Sequence, residues 1–505
     1  MKETARRKKR LPWWGIVLIV LLCVVIVFLG GSYGAIRYFV GDSLGWRGTL
    51  AMVGYGGMDL PDWLNKFILD GDRSYKGLPK LLMDSDGNAV DTIEKYQERR
   101  AEMLDLYEIY MYGHTPTEGF EVAFTEVETG TALNGTAQRH QIKITVTTAK
   151  GSCESMLLVY LPTTDQPCGV FIGENFSGNT TVWNDESILP SPMQNQDAER
   201  GSDSSWPVDL IISRGYGVAT LYYGDWAADS EETYRELVLS LFEDEDSTAY
   251  TAWSFGLMRG IDYLYSMDGV DKDLIATIGH SRLARVSLWT GAIDPRVTLV
   301  TGSCGGGYLR SPIASKITEN GTSDHWNTPA YFSYFGRDEE LPVDTHMMIA
   351  LIADRHLFIS IGESDLASDP VSMYDSLQNA KSVWHDIYGV EVIPDGSYYD
   401  LPEDAVVMSE GMGVNVHTGG HWFDQKTGIV IWIIWISTWG KYNIIPALLA
   451  TRILQKNVIS NAHLTNLWFR GRLKALQQYR TSCCCNQLHF SFADMATWLG
   501  GVSFE

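Results

Sequence analysis

Seven short apolar runs lie between Met156 and Gly362 or just ahead of them, and they constrain the fold of this chain more than any other feature. MLLVYLP, GVFIG, YGVATLYYG, LIATIG, VTLVTG and HLFISIG are not interrupted by alternating polar residues; only QIKITVTT, with Ile142, Ile144 and Val146, alternates. Uninterrupted runs of this length suit strands covered on both faces, which is the environment of a parallel sheet. Helical periods separate several of them. TAWSFGLMRGIDYL sets Trp253, Leu257, Ile261 and Leu264 on one face, and VSMYDSLQNAKSVWHDIY does the same with Met373, Leu377, Ala380, Trp384 and Ile387. Ahead of the strands, Ile93, Tyr96, Met103, Tyr107 and Tyr110 recur near a helical period and predict an amphipathic entry helix. Strand and helix in alternation from about residue 165 onward predict one α/β domain on a mainly parallel sheet.

The ends of the chain read differently. Residues 1–11 form a basic segment expected on the cytoplasmic side, with six Lys or Arg within the first ten, and no charge follows from Leu11 to Ile36. A stretch of that length exceeds the roughly 20 residues that cross a bilayer, so 12–36 is expected to be an uncleaved anchor, the basic flank inside and the remainder exported. Between Thr49 and Ala450 there are 25 Lys plus Arg against 58 Asp plus Glu, within a chain whose net charge is −23. A body this acidic excludes nucleic acid as the main partner and makes any basic cluster inside it informative. Seven cysteines, three of them consecutive at 483–485, match neither a disulfide framework nor a zinc pattern, and no metal or organic cofactor is expected. The main domain is expected over 45–441, and 442–505 is an atypical tail. TGIVIWIIWISTWG, from Thr427, is apolar on every face, the chain beyond 450 turns basic, and a shifted reading frame would restore an acidic helical pattern; residues from about 427 onward are therefore expected to be out of frame.

The chemistry sits where LIATI ends in Gly279-His280-Ser281-Arg282-Leu283, followed by the helical pattern ARVSLWTGAI. Strand, sharp turn and helix lift a serine out at the carboxyl edge of a sheet, although the usual G-x-S-x-G elbow has glycine where Leu283 stands. A nucleophilic serine needs a base, and the base an orienting acid. Downstream, Glu363, Asp365 and Asp369 follow the run HLFISIG, and His417 and His421 follow in a glycine-containing loop, so the order serine, acid, histidine is available.

GHSRLARVSLWTGAIDPRV, preceded by RGYGVATLYYGD and followed by LPVDTHMMIALIADRHLFIS, resembles the bacterial glucuronoyl esterases of carbohydrate esterase family 15. LPKLLMDSDGNAVDTIEKYQERRAEMLDLYEIYMYG and GVFIGENFSGNTTV extend the resemblance over roughly residues 78 to 425. It implies an α/β-hydrolase fold, a three-layer sandwich, and a serine esterase cleaving 4-O-methyl-glucuronoyl esters between glucuronoxylan and lignin-like alcohols. By position it implies Ser281 as nucleophile, His421 as base and Arg282 as an oxyanion donor. The acid it implies is Asp365, with Glu363 next, because Thr301 stands where other members carry theirs. Arg285 replaces a lysine expected to meet the sugar, His325-Trp326 matches a segment that walls the site, and Ala367 replaces an aromatic. Asn175, Asn179, Tyr222, Tyr223 and Asp225 fall in family-like segments. Two other readings remain open at this stage: an acetyl-carbohydrate esterase of the same fold, and a carbohydrate-binding relative with impaired catalysis.

Overall fold

In the computed structural model, residues 64, 68–69, 73–311, 324–366, 368–402 and 404–421 are described. The expected anchor at 12–36, the tail at 442–505, the proposed frame change near 427 and Ala367 lie outside them. Among the described residues no helix is long and apolar enough to cross a membrane.

The apolar runs form a single ten-stranded sheet among the described residues. Its strands are β1 (Glu121–Ala132), β2 (Ala137–Thr148), β3 (Gly151–Pro162), β4 (Cys168–Asn175), β5 (Gly217–Tyr222), β6 (Val270–Ile278), β7 (Leu299–Ser303), β8 (His356–Gly362), β9 (Val406–Met408) and β10 (Met412–His417). The spatial order is β1-β2-β3-β5-β4-β6-β7-β8-β10-β9. From β5 to β10 every neighbouring pair is parallel, while β1, β2 and β3 at one edge and β9 at the other are antiparallel. The expected mainly parallel centre is therefore present. The central strands are apolar without alternation because both faces are covered: Leu157, Val159 and Leu161 enter one core, while Leu158 and Tyr160 between them enter the other.

Among the described residues, five helices of six or more residues pack into the larger core: α1 (Ile93–Tyr107), α3 (Ala249–Ser266), α4 (Arg282–Ile293), α5 (Thr345–Ala350) and α6 (Pro370–Ser382). On the second face the described residues supply two short helices, Asn179–Val182 and α2 (Val208–Ser213), and the segment around Ile188 and Trp206. The expected three layers are thus strongly unequal there. On α3 the four expected core positions are all buried. The entry helix departs from its expected face. Ile93 is 46% exposed, and after Tyr107 the chain widens into a π-helical turn, Glu108–Tyr112. Adding a residue to that turn rotates the inward face onward, so Met111 and Tyr112 are buried in place of Tyr110.

β1 and β9 have no counterpart among the sequence expectations. In β1 the pattern EVAFTEVETGTA is mostly exposed and strand-like only through its twelve-residue neighbour β2. The stretch containing His417, expected to be loop, is strand β10, paired in register with β8 from Met412↔Leu357 to His417↔Gly362. That pairing brings the chain segments after β8 and β10 to the same carboxyl edge as the end of β6.

Candidate active site

β6 ends at Ile278 and α4 begins at Arg282, leaving three residues for the reversal. Ser281 takes up the geometry at φ 57° and ψ −126°, a conformation that a side-chain-bearing residue holds only when its surroundings impose it. They do so by pairing the turn to β7: Ser281 N donates to Ser303 O at 2.8 Å, and Ser303 N to Gly279 O at 2.9 Å. Gly279 is required because a Cβ there would lie 2.0 Å from Leu283 O. Leu283, standing where the usual elbow has its second glycine, is buried in the larger core. The close approach that a glycine would permit is instead provided from β7's loop, where a Cβ on Gly305 would fall 2.7 Å from Ser281 O.

The three residues expected from separate segments meet. Ser281 Oγ lies 2.7 Å from His421 Nε2, and His421 Nδ1 lies 2.8 Å from Asp365 Oδ2. With the Nδ1 proton donated to Asp365, Nε2 presents its lone pair to the serine hydroxyl. The Asp365 side chain is 1% exposed and that of His421 is 34% exposed. Burial by itself raises the Asp365 pKa, but hydrogen bonds from His421 and Ser368 outweigh it and hold the carboxyl below its ordinary value. His280 lies beside His421, ring centroids 4.8 Å apart. Burial, then the proximity of His421, push its pKa down to about 3, so it adds no charge to the site at neutral pH.

The remaining carboxylates separate by geometry. The partly exposed Glu363 donates its backbone N–H to His417 O, helping to hold the ends of β8 and β10 together, whereas the side chain joined to His421 is that of Asp365. Asp369 is fully buried, pairs with Arg73 and Ser311 and accepts from Ser372 N at the start of α6, a structural role. Thr301 is corrected as the position where a β7 acid would reach the base: its Oγ1 donates to Thr277 O inside the sheet. The β7-side residue at the base is Cys304, whose sulfur, with Asp365 and His421 atoms, falls in a group spanning less than 4.8 Å. Burial, followed by the nearby Asp365 charge, pushes the Cys304 thiol well above its ordinary value, so it stays protonated. Ser368 Oγ donates to Cys304 O at 2.8 Å and lies 3.4 Å from His421 Nδ1. Cys304, Asp365 and His421 are also the one candidate metal-binding group among the described residues, but Asp365 and His421 are committed to each other and to Ser281.

Arg282, the first residue of α4, ion-pairs through Nη1 with Asp229. Its guanidinium carbon lies 5.6 Å from the Phe176 ring centroid and 5.3 Å from that of Trp326. Trp326 Nε1 and His325 Nε2 each reach Asp229 Oδ1 at 2.8 Å. Arg285 is partly exposed one turn along α4 and hydrogen-bonds the Tyr112 hydroxyl beside Tyr250, whose ring lies 5.8 Å from Trp326. Arg282, Arg285 and Trp326 therefore lie around one neighbourhood next to Ser281. Asn175, Asn179 and Asp225 resolve as scaffold: Asn175 Nδ2 donates to Asn179 Oδ1 and Thr220 Oγ1, Asn179 Nδ2 to Met156 O, and Asp225 accepts from Ser155 Oγ and Met193 N. Tyr222 and Tyr223 pack edge to face, with Tyr223 against Phe176. Asp229, Phe176, Cys304, Ser368 and His280 are not singled out by the sequence; strand order brings Asp229, Phe176 and Cys304 to the site, whereas His280 and Ser368 lie there as near neighbours of Ser281 and Asp365.

Several known proteins resemble this chain in sequence and in fold. A family model described as glucuronyl esterase of fungi matches residues 202–388. A carbohydrate esterase, MZ0003, from an unknown prokaryotic organism is 32% identical over 335 residues, covering 61% of this chain and 78% of its own. A 4-O-methyl-glucuronoyl methylesterase of Schizophyllum commune is 24% identical, covering 58% of this chain and 68% of its own. Among solved structures, a promiscuous esterase of carbohydrate esterase family 15 from a marine bacterial metagenome superposes with a TM-score of 0.65 at 29% identity, covering 71% of this chain and 96% of that one. The glucuronoyl esterase from Solibacter usitatus gives 0.64 at 27% identity with the same coverage.

Proposed function

The chain belongs to carbohydrate esterase family 15, the glucuronoyl esterases, and from that premise we propose that it hydrolyses 4-O-methyl-glucuronoyl esters joining glucuronoxylan to lignin-like alcohols, with Ser281, His421 and Asp365 as its triad. The observation that carries the assignment is the unbroken hydrogen-bonded line from Ser281 Oγ through both nitrogens of His421 to the buried Asp365. In this reading His421 Nε2 takes the hydroxyl proton as Ser281 Oγ attacks the uronoyl carbonyl carbon, and Asp365 stabilises the imidazolium that forms. The oxyanion is met by the Arg282 side chain and by the Arg282 backbone N–H at the start of α4, where the helix dipole adds to the field, the N–H groups of Leu283 and Ala284 being given to His280 O and Ser281 O. His421 then returns the proton to the departing alcohol, and water, deprotonated by the same nitrogen, releases the uronate and regenerates Ser281 Oγ–H.

Trp326 offers an apolar wall and Arg285 a fixed positive charge for the sugar, in a body that is otherwise strongly acidic. Turnover of benzyl glucuronate against an acetylated xylo-oligosaccharide, each with Ser281→Ala as control, tests the reading. Uronate hydrolysis that disappears in the variant is the expected result; turnover of the acetyl ester alone would overturn the substrate, and turnover surviving in Ser281→Ala would overturn the nucleophile. We also propose that the basic residues 1–11 and the uncharged stretch 12–36 tether the enzyme to the cell membrane with its catalytic body outside, on the strength of that charge pattern. Recovery of the full-length chain from washed membranes, against a chain lacking 1–44, checks it; equal release of both into the soluble fraction would contradict the tether.

A further inference from the structure

Asp229 lies in the segment after β5, far in sequence from Ser281 and from Trp326, yet its two carboxylate oxygens join three residues of the site. Oδ2 accepts from Arg282 Nη1, and Oδ1 accepts from both His325 Nε2 and Trp326 Nε1, each at 2.8 Å. Its side chain is 20% exposed, and that of Arg282 is 27% exposed. Burial, then the nearby Arg282 charge, hold the His325 pKa below its ordinary value. His325 is therefore neutral at neutral pH and donates through Nε2–H, leaving Arg282 as the cation that balances Asp229. An arginine side chain adjacent to the nucleophile is long and has many rotamers, and one N–H group held on a fixed carboxylate selects among them while leaving other donors of the planar fork for a second anion. The aromatic contacts from Phe176 and Trp326 narrow the alternatives further.

We infer that Asp229 is a positioning residue that aims Arg282 at the oxyanion and, through the same carboxylate, fixes the tryptophan wall, so that orientation of the sugar and stabilisation of the charge are mechanically joined. The inference rests on the reading of Ser281 as nucleophile and Arg282 as oxyanion donor. It distinguishes two roles for an ion pair beside an active site: a surface pair would contribute little and act on stability alone, whereas this one acts on the reaction through Arg282.

The test is a double-substitution cycle read by the second-order rate at which a fluorophosphonate labels Ser281, a reaction that builds charge on the same oxygen position without needing a uronate. Removing one oxyanion donor costs roughly 10²–10³ in rate, and misaiming it costs less, so Asp229→Asn is expected to slow labelling roughly 10- to 100-fold in the otherwise native chain. In the Arg282→Ala background the same substitution is expected to change the rate by less than about threefold. Asp229→Glu, which keeps the charge, is expected to recover part of the labelling rate. Asp229→Asn is also expected to raise KM for benzyl glucuronate through Trp326. Equal slowing in both backgrounds, or no slowing in the native one, would overturn the inference even with triad and substrate established. A native chain that labels no faster than Ser281→Ala would instead overturn the triad reading, and the role of Asp229 would fall with it. A uronate ester left unhydrolysed by a chain that labels at Ser281 would fault the substrate alone.

Discussion

Replacing Asp365 by Asn removes one charge from the deepest point of the site and leaves the outline of the side chain nearly unchanged. His421 Nδ1 is 2.8 Å from the carboxylate oxygen, which places the charge centres of an imidazolium and a carboxylate about 4 Å apart. Because 34% of the His421 side chain reaches solvent, the effective dielectric is that of a pair near a surface, about 20, and the attraction lost is about 4 kcal/mol. That corresponds to about three powers of ten in rate. A second loss adds to it. The Asn amide donates to Nδ1 and turns the imidazole to the tautomer whose Nε2 carries a proton, leaving no lone pair for Ser281; in serine proteases this substitution costs about 10⁴ in kcat. The expected outcome is a fall of roughly 10³- to 10⁴-fold in kcat on benzyl glucuronate with KM nearly unchanged, since Asp365 sits behind the histidine and away from the sugar. Glu363→Gln is expected to change kcat by less than about threefold, since its backbone, and not its carboxylate, makes the bond to His417 O. A loss of less than about tenfold for Asp365→Asn, or matching losses for the two variants, would refute the reasoning.

Gly279→Ala would put a Cβ 2.0 Å from Leu283 O and 2.4 Å from its carbonyl carbon, both backbone atoms at the start of α4, so a destabilisation of roughly 1–3 kcal/mol and loss of Ser281 labelling are expected together; a melting temperature equal to that of the native chain would exclude the clash. Arg285→Ala is expected to raise KM for the glucuronate ester about tenfold or more while barely affecting an acetyl ester, measured by parallel steady-state kinetics; equal effects on both would remove Arg285 from sugar recognition. Burial pushes the Asp225 carboxyl up to about 7, so the folded chain keeps a proton that the unfolded chain releases near the ordinary value of 3.8. That contribution to stability, at most roughly 4 kcal/mol, is complete below the unfolded pKa and is lost as pH rises toward about 7. Asp225→Asn keeps an acceptor for Met193 N and a partner for Ser155 Oγ, and is expected to flatten that part of the melting-temperature profile; an unchanged slope would show that Asp225 is not the titrating group.

Much of the fold was legible because burial on both faces writes itself into composition: GVFIG, LIATIG, VTLVTG and HLFISIG are predominantly apolar and carry no Asp, Glu, Lys or Arg, and they form β4, β6, β7 and β8. The edge was less legible. β1 is mostly exposed, so its residues satisfy a ladder and not a core, and nothing in EVAFTEVETGTA demands burial. The π-helical turn after Tyr107 shifted the inward face by a residue, a change that a strict helical period does not anticipate.

The site divides along the same line. Ser281 is defined locally, by a strand end, a glycine whose Cβ would strike Leu283 O, and a helix start, all within a few residues of sequence. Its partners are defined by distance in space. Among Glu363, Asp365 and Asp369 the sequence offers three carboxylates within seven positions, and the parallel pairing of β8 with β10 decides that Asp365 faces His421. The same pairing of β6, β7 and β8 brings Cys304, and not Thr301, to the base. Asp229 joins Arg282 to Trp326 across segments that share no sequence pattern. Local geometry is encoded by neighbouring residues and can be read from them; a contact between distant segments depends on strand order and register, which only the folded sheet determines.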